Sequence, residues 1–163
     1  MVDMNAWVLR AVVLGALTVV LRTVLGFGMI YWPTQGSWMR LLCLIVLVAT
    51  GVVWGLADGR GDRRANPDPE RGGVDLTMRW LKAAIAGGLG SAVAAWLLDF
   101  VPKFDLGDNG LGFEITAGAA FILLMIFVPA MIGVAAGRFL VTRENTKAAA
   151  RTQPPAPAAA TPA

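Results

Sequence analysis

An arginine interrupts a long apolar run near the start of the chain. Arg22 lies ten residues before Trp32, roughly 15 Å along a helix at about 1.5 Å per residue, further than an arginine comfortably snorkels. A charge at that depth costs at least about 2.5–3.5 kcal/mol on insertion scales, so it calls for a carboxylate partner or a wet cavity. Two acids at the far ends of later apolar runs qualify, Glu114 first and Asp99 second, and Arg40 belongs to the same side. Together they compose a neutralised cluster of two bases and two acids, able to bind a charged ligand. Each member also has a plain structural role. A break at Gly26-Phe-Gly28 would let Arg22 reach the interface, Glu114 suits the positive end of a helix dipole, and Asp99 is interfacial.

Other chemistry is poorly provided for. The chain has no histidine, which removes histidine-dependent nucleophilic catalysis, proton relays and most zinc or copper sites. Cys43 is the single cysteine and falls within an apolar run, where a small packing residue is the ordinary reading. No carboxylates are spaced for a metal within one helix, and no serine has a plausible base. Gly87-Gly-Leu-Gly90 lies inside a span, where glycine serves packing better than phosphate. The expectation is a protein that is not an enzyme and needs no metal or cofactor.

The elements that must position these residues are four apolar runs, at about 7–32, 38–57, 80–101 and 113–137. Each is long enough to span a bilayer. The six tryptophans and Tyr31 fall near the run ends, as an aromatic belt at the lipid headgroups would require. With 56% hydrophobic and only 15% charged residues among 163, the core must face lipid. The fold class expected is an all-α four-transmembrane-helix bundle, one domain over residues 1–140. A disordered Ala/Pro-rich tail follows over 141–163, with the fourth helix extending some turns into it. The net charge of +3 comes from basic residues beside span ends, which points to membrane lipid and not to nucleic acid.

Arg60, Arg63, Arg64, Arg71, Arg79 and Lys82 flank the middle connection, and Arg138, Arg143, Lys147 and Arg151 follow the fourth run; the opposite side holds Arg40 and Lys103. The positive-inside rule then places both termini and the middle loop in the cytoplasm, as a multi-pass protein of the plasma or inner membrane with a retained first span. Residues 58–75, rich in charge, glycine and proline, read as an exposed irregular connector, with Asp75 as N-cap of the third helix. Ala83, Gly87, Ser91 and Ala95 recur every four residues on that helix, the small-residue pattern that lets membrane helices approach closely; spacing allows packing within one chain or across a dimer, and the former is the expectation. Pro129 is expected to kink the fourth helix.

Several stretches resemble a family of small actinobacterial membrane proteins described as bacterial four-helix drug/metabolite transporter (DMT)-like. They are Leu25-Gly-Phe-Gly28 with Tyr31-Trp-Pro-Thr-Gln-Gly36, then Val53-Trp-Gly-Leu-Ala-Asp-Gly59, Arg63-Arg-Ala-Asn-Pro-Asp-Pro69 and Asp75-Leu-Thr-Met-Arg-Trp-Leu-Lys-Ala83. The resemblance covers about residues 6–140. It implies a four-span unit related to half of a larger transporter and working as a homodimer, with a small-molecule cleft. Four-span multidrug exporters of that description use a glutamate in the first membrane helix. Arg22 stands here instead, which suits an anionic or zwitterionic ligand. The alternative function is a non-transporting accessory or scaffold subunit of a larger envelope or lipid-transport membrane complex.

Overall fold

The computed structural model describes residues 2–67, 73–100 and 110–152. Among them every regular element is helical: α1 (Val2–Tyr31), a 3-10 turn (Pro33–Gln35), α2 (Gly36–Ala65), α3 (Leu76–Asp99), and α4 (Leu111–Phe113), which runs through a π turn (Glu114–Gly118) into α5 (Ala119–Thr152). Four helical stretches are long and apolar enough to cross a membrane, Asn5–Tyr31, Pro33–Ala65, Leu76–Leu98 and Leu111–Arg151.

Local chemistry sets the helix ends. Pro33 has no N–H to give a helix, and Trp32 before it leaves the helical region (φ −134°, ψ 67°). The chain turns over Pro33–Gln35 and restarts at once as α2, giving a tight α1–α2 hairpin. Asn66, followed by Pro67, ends α2, its N–H bonding back to the Asp62 carbonyl. Asp75 caps α3, its side chain accepting from the Met78 N–H at 2.9 Å. Helix α1 runs unbroken through Gly26-Phe-Gly28, so Arg22 is held at its helical depth. Helix α5 likewise continues through Pro129. The hairpin turn and Leu111 mark one end of the bundle, called here the hairpin end. The α2–α3 connection and Thr152 mark the other, the basic end.

Glycine decides the tightest packing. A Cβ on Gly55 or Gly59 of α2 would run into the backbone carbonyls of Ala130 and Val134. A Cβ on Gly133 or Gly137 of α5 would run into those of Val52 and Leu56. The partners advance together along both helices, so α2 and α5 run parallel with their backbones in contact, the approach that only small residues allow. Helix α3 is wedged between α1 and α5. Gly87 faces the Ala11 carbonyl, with a Cβ there 3.2 Å away, and Gly88 faces that of Ala119, at 2.8 Å. Ala83, Gly87, Ser91 and Ala95 are all buried inside the chain. The core joins them through Leu14, Trp80, Ile126 and Val134.

Two expectations are corrected, and a third is given its extent. Residues 58–65 are not an irregular connector but the last turns of α2, because Gly59 packs on α5 and the acids of this stretch find basic partners inside the bundle. The fourth helix outlasts its apolar run by fifteen residues, from Gly137 to Thr152, the extension into the tail that the sequence allowed; the rest of that tail lies outside the described residues. The aromatic belt is also incomplete. Trp32 and Trp38 are exposed at the hairpin end, but Trp80 is fully buried and Trp54 packs edge-on against it at 6.3 Å. These two rings are core residues, and the charge they enclose explains why.

Candidate functional site

Two arginine–carboxylate pairs occupy opposite ends of the bundle. At the basic end, Arg10 of α1 reaches Asp58 of α2. Its Nε donates to Asp58 Oδ2 at 3.0 Å and its Nη2 to Oδ1 at 2.7 Å. Nη1 donates to the Ala6 carbonyl at 2.6 Å, and Trp80 Nε1 donates to Asp58 Oδ2 at 3.0 Å. The guanidinium carbon lies 5.7 Å from the Trp54 ring centroid and 5.5 Å from that of Trp80, within cation–π range. Three helices thus share one charge pair, and the Arg10 side chain is only 8% exposed. Beside it, Asp62 takes Arg138 of α5 at 2.7 Å and the Val74 N–H at 3.0 Å, tying α5 and the start of α3 to α2. The arrangement ties the ends of all four helices together.

At the hairpin end, Arg22 of α1 meets Glu114 at the head of the fourth span. Nη1 donates to Oε2 at 2.8 Å and Nη2 to Oε1 at 2.7 Å, a bidentate fork. The backbone makes room for it. The Ala119 N–H bonds to the Glu114 carbonyl, five residues back, which opens the helix into a π turn. Gly118 completes the space, since a Cβ there would lie 2.9 Å from Glu114 Oε2. Glu114 is therefore not a solvated helix-terminal acid but a buried one, whereas a quarter of the Arg22 side chain remains exposed. That exposure opens into a cleft of about 530 Å³, within the usual range of ligand pockets.

Three elements line this cleft: Thr18, Leu21 and Leu25 of α1 beside Arg22; Arg40, Cys43, Leu44 and Leu47 of α2; and the fourth span from Phe113 to Met125. It occupies the hairpin half of the bundle, beyond the point where Gly51 touches Pro129, so α2 and α5 are zipped below it. Thr18 is occupied by its own helix, its hydroxyl donating to the Leu14 carbonyl at 2.8 Å. Arg40 is exposed and, among the described side chains, has no carboxylate partner; its Nη2 approaches Met29 Sδ at 3.9 Å. Of the expected four-membered cluster, Arg22 and Glu114 form an ion pair and Arg40 lies at the same cleft. Asp99 is the last residue of α3, and its side chain lies outside the described residues. Among the described residues the charged groups of the lining are Arg22, Glu114 and Arg40.

Sequence reasoning missed the basic-end cluster altogether, because Arg10 and Asp58 are 48 residues apart and each sits where an interfacial charge is unremarked. It also missed the glycine repeat at Gly51, Gly55 and Gly59, although its spacing of four, matched by Gly133 and Gly137, was there to be read. No three His, Cys, Asp or Glu side chains gather to hold a metal among the described residues.

Fold and site together define an all-α membrane protein built on four apolar helices, with a cleft toward one end bordered by two arginines and a glutamate. No family model matches the chain, and no curated protein is significantly similar to it.

Proposed function

We propose that this protein binds a small anionic or zwitterionic molecule in the hairpin-end cleft, and carries it across or presents it at the membrane in the manner of the four-helix drug/metabolite transporter-like proteins it resembles. The observation that carries this reading is the partly exposed Arg22–Glu114 pair at a ligand-sized cleft, with Arg40, which has no carboxylate partner among the described side chains, beside it. An arginine already held by a carboxylate can exchange that partner for a ligand anion of the same geometry. The Lys/Arg imbalance supports an orientation with the basic end in the cytoplasm and the cleft on the outer half. The test is a thermal-shift comparison of anionic, zwitterionic and cationic small molecules on purified protein, beside the cleft-filling variant Ala117→Trp. Stabilisation by anions in the parent and not in the variant supports the reading; equal response of the two proteins to every compound contradicts it.

A second reading, an accessory subunit of a larger membrane complex, is favoured by one feature. Helices α2 and α5 project together at the basic end, joined by Arg63 Nε donating to Thr142 Oγ1 at 3.0 Å, and present charge where a partner could dock. Affinity purification in mild detergent separates the two: a stoichiometric larger complex supports the accessory role, and the chain alone or paired with itself supports ligand binding.

A further inference from the structure

The distribution of charge within the cleft narrows the class of ligand, given the proposal above that the cleft binds an anion. The charged groups of the lining gather in its hairpin half. On α2, Arg40 precedes Cys43, Leu44 and Leu47 inward; on the fourth span, Glu114 precedes every lining residue but Phe113; on α1, Arg22 lies outward of Thr18 and Leu21, with Leu25 beyond it. From Glu114 to Met125 the helical rise is roughly 16 Å at about 1.5 Å per residue, and no charged side chain lines the cleft over that depth. A hydrophilic anion would leave this inner wall unused.

The side opening points the same way. The inner wall is closed by Leu47 and Ile122, both under a tenth exposed, whereas Leu44 and Phe121 at the rim are 39% and 61% exposed. An opening framed by leucine and phenylalanine in a membrane helix faces hydrocarbon, so the cleft is reached from within the bilayer. We infer that the ligand is a single-chain anionic amphiphile, with a carboxylate or phosphate head, taken laterally from the outer leaflet. Its head lies against Arg22 and Arg40, and its chain runs inward between α2 and α5 along Leu44, Leu47, Phe121 and Met125. One chain of medium length fits the depth.

The experiment uses the full-length protein in nanodiscs of zwitterionic phosphatidylcholine and a diazirine derivative of lauric acid, with photolabelled peptides mapped after illumination. Labelling is expected to concentrate on α2 and α5 around Leu47 and Met125, and to be competed by lauric acid at least tenfold better than by lauryl alcohol, acetate or inorganic phosphate. Arg40→Gln, at an exposed position, is expected to lower site labelling at least fivefold without moving the melting temperature. Competition by acetate or phosphate as effective as that by lauric acid overturns the amphiphile and leaves an anion site standing. Labelling spread over all lipid-facing helices, with no competitor effective, overturns the anion site as well.

Discussion

The two arginine–carboxylate pairs use nearly the same chemistry for different ends, and their surroundings make the difference. Arg10 and Asp58 are enclosed by Trp54 and Trp80, receive an indole N–H and give one to a carbonyl. Arg22 and Glu114 are held as a fork, but beside a cleft, with the arginine three times as exposed as Arg10, 25% against 8%. A buried pair costs desolvation, which close geometry and added hydrogen bonds offset. At the basic end the surrounding groups complete that compensation. At the hairpin end a quarter of the Arg22 side chain stays exposed beside the cleft. Helix packing follows the same division. Glycines bring α2 and α5 into backbone contact at the basic end and leave them apart where the cleft lies.

The largest expected effect lies in that glycine zip. Gly55→Leu or Gly59→Leu places a side chain where the carbonyl of Ala130 or Val134 now sits, and backbone cannot yield as a flexible side chain does. Either variant is expected to abolish recovery of monodisperse protein, whereas Gly61→Leu, with nothing near its missing Cβ, is expected to purify normally. Equal behaviour would remove the packing contrast between the two ends.

Next in size are the pairs themselves. Arg10→Ala strands Asp58 and is expected to cost about 3–5 kcal/mol of stability, much of it recovered when Asp58→Ala is added. Trp80→Phe removes only the indole donor and is expected to cost about 1–3 kcal/mol. For Arg22 and Glu114 the same double-mutant cycle is expected to give a smaller coupling, because a quarter of the Arg22 side chain is exposed beside the cleft; denaturant unfolding in a fixed detergent reads both. A larger coupling at the hairpin end would reverse the assignment of sealed and open. Smallest of all is Arg40→Gln, expected to leave stability within about 0.5 kcal/mol while weakening anion-dependent thermal stabilisation.

Much of this architecture could be read before any coordinates. Apolar runs of bilayer length give four spanning helices, and the depth of Arg22 marks it as needing a partner, because both follow from the cost of polar groups in hydrocarbon. The pairing of Arg10 with Asp58 could not be read so. Charges near a span end pass for interfacial, and only the fold brings two such positions within 3 Å. The same limit explains residues 58–65. Their glycines and charges look like a connector, yet Gly59 against Val134 and Asp62 with Arg138 stabilise the helix from outside it. Trp80 misled for a related reason: an indole suits a headgroup layer, but it also suits a buried carboxylate that needs a donor.

Cys43 lines the cleft and serves as a built-in reporter of whether the hairpin end is open. The deciding measurement is the rate at which a small thiosulfonate modifies Cys43 in membranes, against the rate at Leu14→Cys in a Cys43→Ser background, since Leu14 is fully buried in the core. An open cleft predicts that Cys43 reacts measurably faster than the buried control and that saturating lauric acid slows it at least tenfold. Equal rates at the two positions, or a Cys43 rate indifferent to every anion offered, would contradict the claim that the Arg22–Glu114 pair borders a ligand site.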